Sequence, residues 1–397
     1  MELKKGYKQT LAGIIPEDWE VKELHQIAKF INGNAHEMFI DEKGDYKVVN
    51  SKFVSSDGNV FKLSSTLICP LNVGDITMVM SDIPNGKALA KCFLIDQNNT
   101  YTLNQRICAL TPFEDSPNYL FKTLNRNKYF LAFDSGTGQT NLRRQEVLSC
   151  PVILPLKKEQ IAIADALTDA DTYITSLAKL IEKKRKIKQG AMQDLLKPKD
   201  GWEEKRFNEI CDLIHGHQFL STDFVEESDG IKVVKIGNVQ SGKFNTNDCD
   251  RVTKEKLHLY KKYIIKNGDI LMSLTGNIGR VVIVENIKET LLQNYRVGKF
   301  EAKDIDNRFL AYCLASPSTT KQLELNSNQT SQANFGKQDF IKIKISIPKD
   351  RSTQEFIANT LYDLDSEVSL LEKKLSKAKM LKLGMMQNLL TGKIRLI

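Results

Sequence analysis

Residues 160–196 align without a gap on residues 354–390, at a constant offset of 194, and 15 of the 37 positions are identical. The matches include Gln160, Ile163, Asp171 and Lys188, and they end on GAMQDLL (190–196) against GMMQNLL (384–390). An internal repeat this strong constrains everything else, because the fold must be one unit built twice. The duplication continues more weakly outside the block. IPEDWEVKELHQIAKFINGN (15–34) matches PKDGWEEKRFNEICDLIHGH (198–217), with Trp19 on Trp202 and Gly33 on Gly216. GDITMVMSDIPNGKALAKCFLI (74–95) matches GDILMSLTGNIGRVVIV (268–284), and LNQRI (103–107) matches LQNYRV (292–297). QTNLRRQEVLSCPVILP (139–155) matches QANFGKQDFIKIKISIP (332–348).

The strong block predicts a long helix. It has no internal proline, and its second copy places Leu361, Leu364, Val368, Leu371, Leu375, Ala378, Met385 and Leu389 at heptad a/d sites, broken only by Lys382. The first copy places Leu167, Ala170, Ile174, Leu177, Ile181, Ala191 and Leu195 at the matching sites, broken by Lys184 and Lys188. Such a stripe is a coiled-coil seam. At 1.5 Å per residue each helix runs about 55–60 Å, with Pro198 ending the first and Thr391-Gly392 the second. The remaining segments are short β-branched runs (YKVVN, GDITMVM, GIKVVKIGNV, GRVVIVEN) separated by Gly, Asn and Asp, which is strand-and-turn chemistry. Short helical pieces are expected at 20–30, 117–132, 203–213 and 306–315.

The expected fold is therefore α+β: two β-rich domains separated by a long antiparallel two-helix coiled coil, with a pseudo-two-fold internal repeat. The first helix delivers the chain to the second domain, and the second helix is free to return, so antiparallel pairing places one domain at each end. The boundaries read as 1–155 and 198–348 for the globular parts, and 156–197 and 349–397 for the helices. The helices repeat closely while the globular parts match only in islands. One job is done twice by the helices, and two related but different jobs are done by the domains.

The strings PLKKEQIAIADAL and PKDRSTQEFIANTL, followed by heptads and M-Q-x-L-L, resemble the helical conserved regions of the specificity (S) subunit of type I restriction–modification systems. The W-E-x-K-x-(L/F) openings and GDILMSLTGNIGR resemble that family's target recognition domains. The resemblance covers nearly the whole chain, in the family's order. The first copy departs from it, with Asp18 where the second has Gly201 before Trp, and SDIPNGKA where the second has T-G-N-I-G-R. The resemblance implies a non-catalytic DNA-binding subunit, and the unpatterned cysteines and an N-terminus without an apolar stretch are read as those of a cytoplasmic protein. Each domain would read one half of an asymmetric bipartite site in double-stranded DNA. The coiled coil would set the unread spacer and dock two DNA adenine methyltransferase (M) subunits, and restriction (R) subunits would join.

Composition agrees with that class and excludes others. A formal net charge of +8 suits a polyanionic partner without demanding one. Seven scattered cysteines without a C-x-x-C read as reduced thiols, and no run approaches the ~18 apolar residues of a membrane span. Readers of DNA need cations for phosphates and forked amides or guanidinium groups for base edges. The second domain offers Ser273, Thr275, Asn277 and Arg280, then Gln293, Asn294 and Arg296, then Asn328, Gln329, Gln332, Asn334 and Lys337. The first offers Asp82, Asn85 and Lys87, then Asn104, Gln105 and Arg106, then Gln139, Asn141, Arg143 and Arg144. Arg106 and Arg296 rank first because both copies keep an arginine there. The bland reading of each is a solvated turn residue, and the run KKRKIKQ (183–189) reads first as a solvated helix face.

Chemical motifs are weak. GNVQSGKF (237–244) nearly spells a phosphate loop, but Phe244 replaces the magnesium-binding hydroxyl and the context is a hairpin. Cys211, His215 and His217 lack the second cluster that a tetrahedral zinc site needs. No cofactor site is expected. Two other classes compete with the DNA reader: a coiled-coil adaptor with peptide-binding ends, and a stand-alone DNA-modifying enzyme. The first leaves the divergence of the domains unexplained, and the second lacks a glycine-rich cofactor loop and an Asn-Pro-Pro-aromatic string.

Overall fold

The computed structural model describes residues 5–83, 88–134, 136, 138–226, 229–326 and 335–396. The chain divides into two compact units, Met1–Ser176 with Leu375–Ile397, and Leu177–Lys374.

The first unit is organised by an antiparallel four-stranded sheet in the order Ala28–Asn32, Ile107–Pro112, Ile76–Val79, Cys92–Leu94. Its two central strands are apolar runs without alternation because they are covered on both faces. A three-stranded sheet pairs Tyr46–Val49 in parallel with Tyr101–Leu103 and antiparallel with Lys62–Ser64. The second unit repeats the first sheet strand for strand, as Cys211–His215, Val297–Ala302, Ile270–Ser273, Val281–Ile283. It repeats the parallel pair as Ile231–Val234 with Leu291–Gln293, then enlarges that sheet to five strands with Phe224–Val225, Asp250–Val252 and Ile264–Ile265. The two copies thus share a framework and diverge mainly in the mixed sheet.

The helical expectations at 20–30 and 203–213 are corrected. Glu20–Glu23 and Ala28–Asn32 are strands flanking one 3-10 turn, Leu24–Gln26. Trp202–Arg206 and Cys211–His215 are strands flanking one helical turn, Phe207–Ile210. The reason lies far along the chain. Glu20–Glu23 pairs with Pro151–Leu154, and Trp202–Arg206 with Lys344–Pro348, so each domain's first segment is clasped to its last. Tertiary pairing overrides local propensity in both copies. The helix expected at 117–132 is two pieces, Pro117–Leu124 and Lys128–Leu131, broken where Arg126 takes a φ of 57°.

The long helices span Lys157–Leu195 and Arg351–Leu389. In the first unit, Ile163, Ala164 and Leu167 from the start of one helix share a core with Met385, Met386 and Leu389 from the end of the other. In the second unit, Ile357, Ala358 and Leu361 share a core with Ala191, Met192 and Leu195. The repeated Gln160 and Gln354, 2% and 3% exposed, explain another identity. Each accepts the backbone N–H of the residue capping a domain helix, Ser116 (2.9 Å) and Asp306 (3.0 Å), and donates to Pro155 O and Pro348 O respectively (3.0 Å each). The tail joins the first unit. Arg395 hydrogen-bonds Asp18 and Glu159, and the same Glu159, 1% exposed, accepts Trp19 Nε1 at 3.1 Å.

The basic run at 183–189 is largely engaged. Lys184 pairs with Glu367, Arg185 with Glu372, Lys186 with Glu182 and Lys188 with Asp365. GNVQSGKF forms a two-stranded hairpin, Val239–Gln240 against Lys243–Phe244, turning at Gly242 (φ 69°). Lys243 also pairs with Glu372 at 2.8 Å. Among the described residues no group of His, Cys, Asp and Glu could hold a metal ion, and no helix is long and apolar enough to cross a membrane.

Candidate nucleic-acid interface

Three loops distant in sequence meet at one end of the four-stranded sheet, and they meet the same way in both copies. In the second unit Leu274 N–H donates to Arg296 O (2.9 Å) and Phe335 N–H donates to Leu274 O (2.9 Å). In the first unit Met80 N–H donates to Arg106 O (3.1 Å) and Leu142 N–H donates to Met80 O (2.7 Å). A fourth strand end is tied in by a parallel bridge, Asn34 to Asn104 and His217 to Asn294. The glycine before each bridge allows this approach. A Cβ on Gly33 would lie 1.9 Å from Asn104 O, and one on Gly216 would lie 2.3 Å from Gln293 O and 2.4 Å from Asn294 O. The junction is thus held by main-chain groups, which leaves the side chains around it free to differ.

In the first unit Asn104 leads into a two-residue turn, Gln105 and Arg106, before Ile107–Pro112; both turn residues are exposed and Arg106 has a φ of 67°. Gln105 Nε2 donates to Glu37 Oε1 (2.7 Å). Gln139 Nε2 donates to Ser81 Oγ (2.5 Å), and the exposed Asn141 pairs with Ser81 in a short ladder. Arg143 and Arg144 are exposed at the start of Arg144–Leu148, and the Arg144 guanidinium lies 5.4 Å over the Phe30 ring. The Asp82 carboxylate accepts the N–H groups of Ile83, Ala88 and Leu89, so it shapes its loop. Asn85 and Lys87 lie outside the described residues.

In the second unit Arg296 and Asn277 are exposed and Arg280 is half-buried. Arg296 Nε donates to Tyr295 OH at 2.8 Å, which holds the guanidinium beside the ring at 5.3 Å. Lys337 is exposed at the first turn of Lys337–Phe340. Ser273, Gln293 and Asn294 are buried. Ser273 Oγ donates to Asn277 O (2.5 Å) and accepts from Arg280 N–H (3.2 Å), pinning a loop that turns at Gly276 and Gly279 with positive φ. Gln293 Nε2 donates to Ile214 O and Val297 O, and Asn294 Oδ1 accepts Arg296 N–H (3.2 Å). Thr275 Oγ1 and Gln293 Oε1 are buried without a hydrogen-bond partner among the described residues. Asn328, Gln329, Gln332 and Asn334 lie outside the described residues.

Sequence reasoning passed over the histidines at this edge, beyond discounting them for zinc. His217 packs against Phe219, Tyr260 and Tyr263 at centroid distances of 4.8, 4.9 and 5.3 Å. Burial, with help from the Lys337 charge, holds the His215 imidazole below its ordinary value of 6.5. The matched glycine was the available signal, because the residue after it must sit against the Arg turn. Among the described residues the edge presents guanidinium, ammonium, amide and imidazole groups, an inventory suited to phosphates and base edges.

A family model described as the type I restriction modification DNA specificity domain matches the chain twice, over residues 16–189 and 199–380. The type I restriction enzyme MjaVIII specificity subunit of Methanocaldococcus jannaschii is 27% identical over 99% of this chain and 96% of its own length. Among solved structures, the S subunit of a type I restriction–modification system from M. genitalium has a TM-score of 0.62 at 16% identity, covering 98% of both chains. A chain from a study of complex assembly and conformational transition in the type I R-M system has a TM-score of 0.58 at 14% identity, covering 96% of this chain and 99% of its own. At such identities these two structures speak for the fold.

Proposed function

The chain belongs to the type I restriction modification DNA specificity family, and from that premise we propose that its two globular domains each read one half of an asymmetric bipartite DNA site. It is a specificity subunit, and the catalytic activities of such systems lie in other subunits. The observation that carries the reading is the doubled three-loop junction, the same main-chain hydrogen bonds surrounded by different side chains. A shared frame with unlike loops is what two unlike half-sites call for.

The domains divide at 1–155 and 198–348, with helices in 156–197 and 349–397. The helices run antiparallel as a coiled coil that sets the unread spacer. This is supported by the start of each helix sharing a core with the end of the other, once in each unit. The exposed groups Gln105, Arg106, Asn141, Arg143, Arg144, Asn277, Arg296 and Lys337 contact DNA, joined by Asn85, Lys87, Gln329, Gln332 and Asn334. Ser273, Gln293, Asn294, Asn104 and Gln139 hold those loops in place through side-chain hydrogen bonds, and Thr275 and the half-buried Arg280 lie in the same loop as Ser273. Two adenine methyltransferase subunits dock on the helices, and restriction subunits join that assembly in the cytoplasm.

Co-expression with the methyltransferase subunit of the same system, followed by mapping of methylated adenines, tests the reading. Two different half-sites at a fixed separation are expected, and a palindrome or random methylation would refute it. Arg296→Ala is expected to relax one half-site, at about 1–3 kcal/mol for a lost bidentate base contact, while assembly persists. Loss of assembly instead would remove Arg296 from the interface.

A further inference from the structure

Two lysines interrupt the apolar seams at equivalent places, Lys188 in the first helix and Lys382 in the second, 194 positions apart. Neither is solvated as an isolated charge. Lys382 Nζ lies 2.5 Å from Asp171 Oδ1, and Lys188 Nζ lies 2.5 Å from Asp365 Oδ1. Asp171 and Asp365 are themselves repeat partners, so one crossing pair is made twice. Each carboxylate also holds a third group with its other oxygen. Asp171 Oδ2 takes Lys122 Nζ at 2.7 Å, and Asp365 Oδ2 takes Tyr312 OH at 2.8 Å. Lys122 and Tyr312 occupy the same position, the sixth, of the matching domain helices Pro117–Leu124 and Asn307–Leu314.

We propose that these two junctions set the register of the helix pair and fix each recognition domain to it, so that they determine the length of the spacer between half-sites. This rests on the reading of the helices as that spacer. Leucine at all seam sites would tolerate sliding by a heptad, because apolar contacts are non-directional. A charged residue at a seam site does not tolerate it, since a slip strands the ammonium among apolar side chains. The two crossings are equivalent, so one slip breaks both. The third partner carries the register outward, because the domain helix grips the same carboxylate that the opposing helix grips.

A full-length Lys188→Leu/Lys382→Leu chain tests this in complex with the methyltransferase subunit. A one-heptad slip moves one helix past the other by about 10 Å, or about three base pairs of DNA at 3.4 Å each. Methylated adenines are expected to keep both half-sites but at two or more separations. Independently, spin labels at positions 182 and 374, in a chain with Cys249→Ser, report one narrow distance for the wild type. They are expected to report a broadened or doubled distribution for the double leucine chain. Lys188→Arg/Lys382→Arg retains both pairs and is expected to keep one separation and one distance. A single spacer and a single narrow distance in the leucine chain would overturn the inference. If the wild-type complex marks no bipartite site, the functional reading fails, while the spin-label distances still decide the register.

Discussion

At the scale of single residues, the most constrained positions have no side chain. Gly33 and Gly216 sit where a carbonyl of the facing turn would overlap any Cβ, so the repeat keeps glycine while its neighbours change. Gly216→Ala is expected to cost about 1–3 kcal/mol, the usual penalty of overpacking, and to displace the Arg296 turn. A thermal melt measures the first effect, and loss of one half-site in a methylation map measures the second. Other candidate residues divide by burial. Ser273, Gln293 and Asn294 have the right chemistry for base reading, but Ser273 Oγ, Gln293 Nε2 and Asn294 Oδ1 bond the protein's own main chain. Composition and alignment found them because they are kept near the site. Which way each points was illegible, since a loop's orientation depends on its tertiary hydrogen bonds.

At the scale of elements, the start of each long helix was legible to within two residues, while the segment drawn to 397 holds a helix that ends at Leu389. Their signal is local, a heptad stripe without proline, and 39-residue helices at Lys157–Leu195 and Arg351–Leu389 follow from it. The segments around 20–30 and 203–213 were not legible, because their partners Pro151–Leu154 and Lys344–Pro348 lie over a hundred positions away. The mixed sheets share that difficulty: a parallel pair such as Tyr46–Val49 with Tyr101–Leu103 leaves no hairpin signature. The identity Gln160/Gln354 within the helical block marks an attachment to the domains. Gln354 is a test of this. Truncating it in Gln354→Ala would leave the Asp306 N–H and Pro348 O unpaired in a buried place. The expected loss is about 2–4 kcal/mol, from two such groups, measurable as a lower urea midpoint with an unchanged slope.

At the scale of the whole molecule, charge fixes how stability depends on pH. Burial raises Asp171, but hydrogen bonds from Lys122 and Lys382 outweigh it and hold the carboxyl below its ordinary 3.8. The Arg395 hydrogen bonds lower Asp18 in the same way. Burial raises Glu372, and the bonds from Lys243 and Arg185 again prevail. Carboxylates with depressed folded values stabilise above their unfolded values, and that stability is lost as pH falls through the folded ones. His215 acts in the same direction for the opposite reason. Its folded value lies below 6.5, so the unfolded chain takes up the proton first and acid favours unfolding. A shallow loss of stability is expected as pH drops below about 6.5 and a steep one below about 4. His215→Gln should abolish the shallow step in a pH series of chemical melts and leave the steep one. The junction beneath the loops has a consequence over longer times. Because main-chain hydrogen bonds join the loops and a few buried side chains brace them, the exposed residues at the rim can be substituted at little cost to folding. Under the proposed reading, a lineage can therefore change the word it spells in DNA while the grammar of the subunit is left intact.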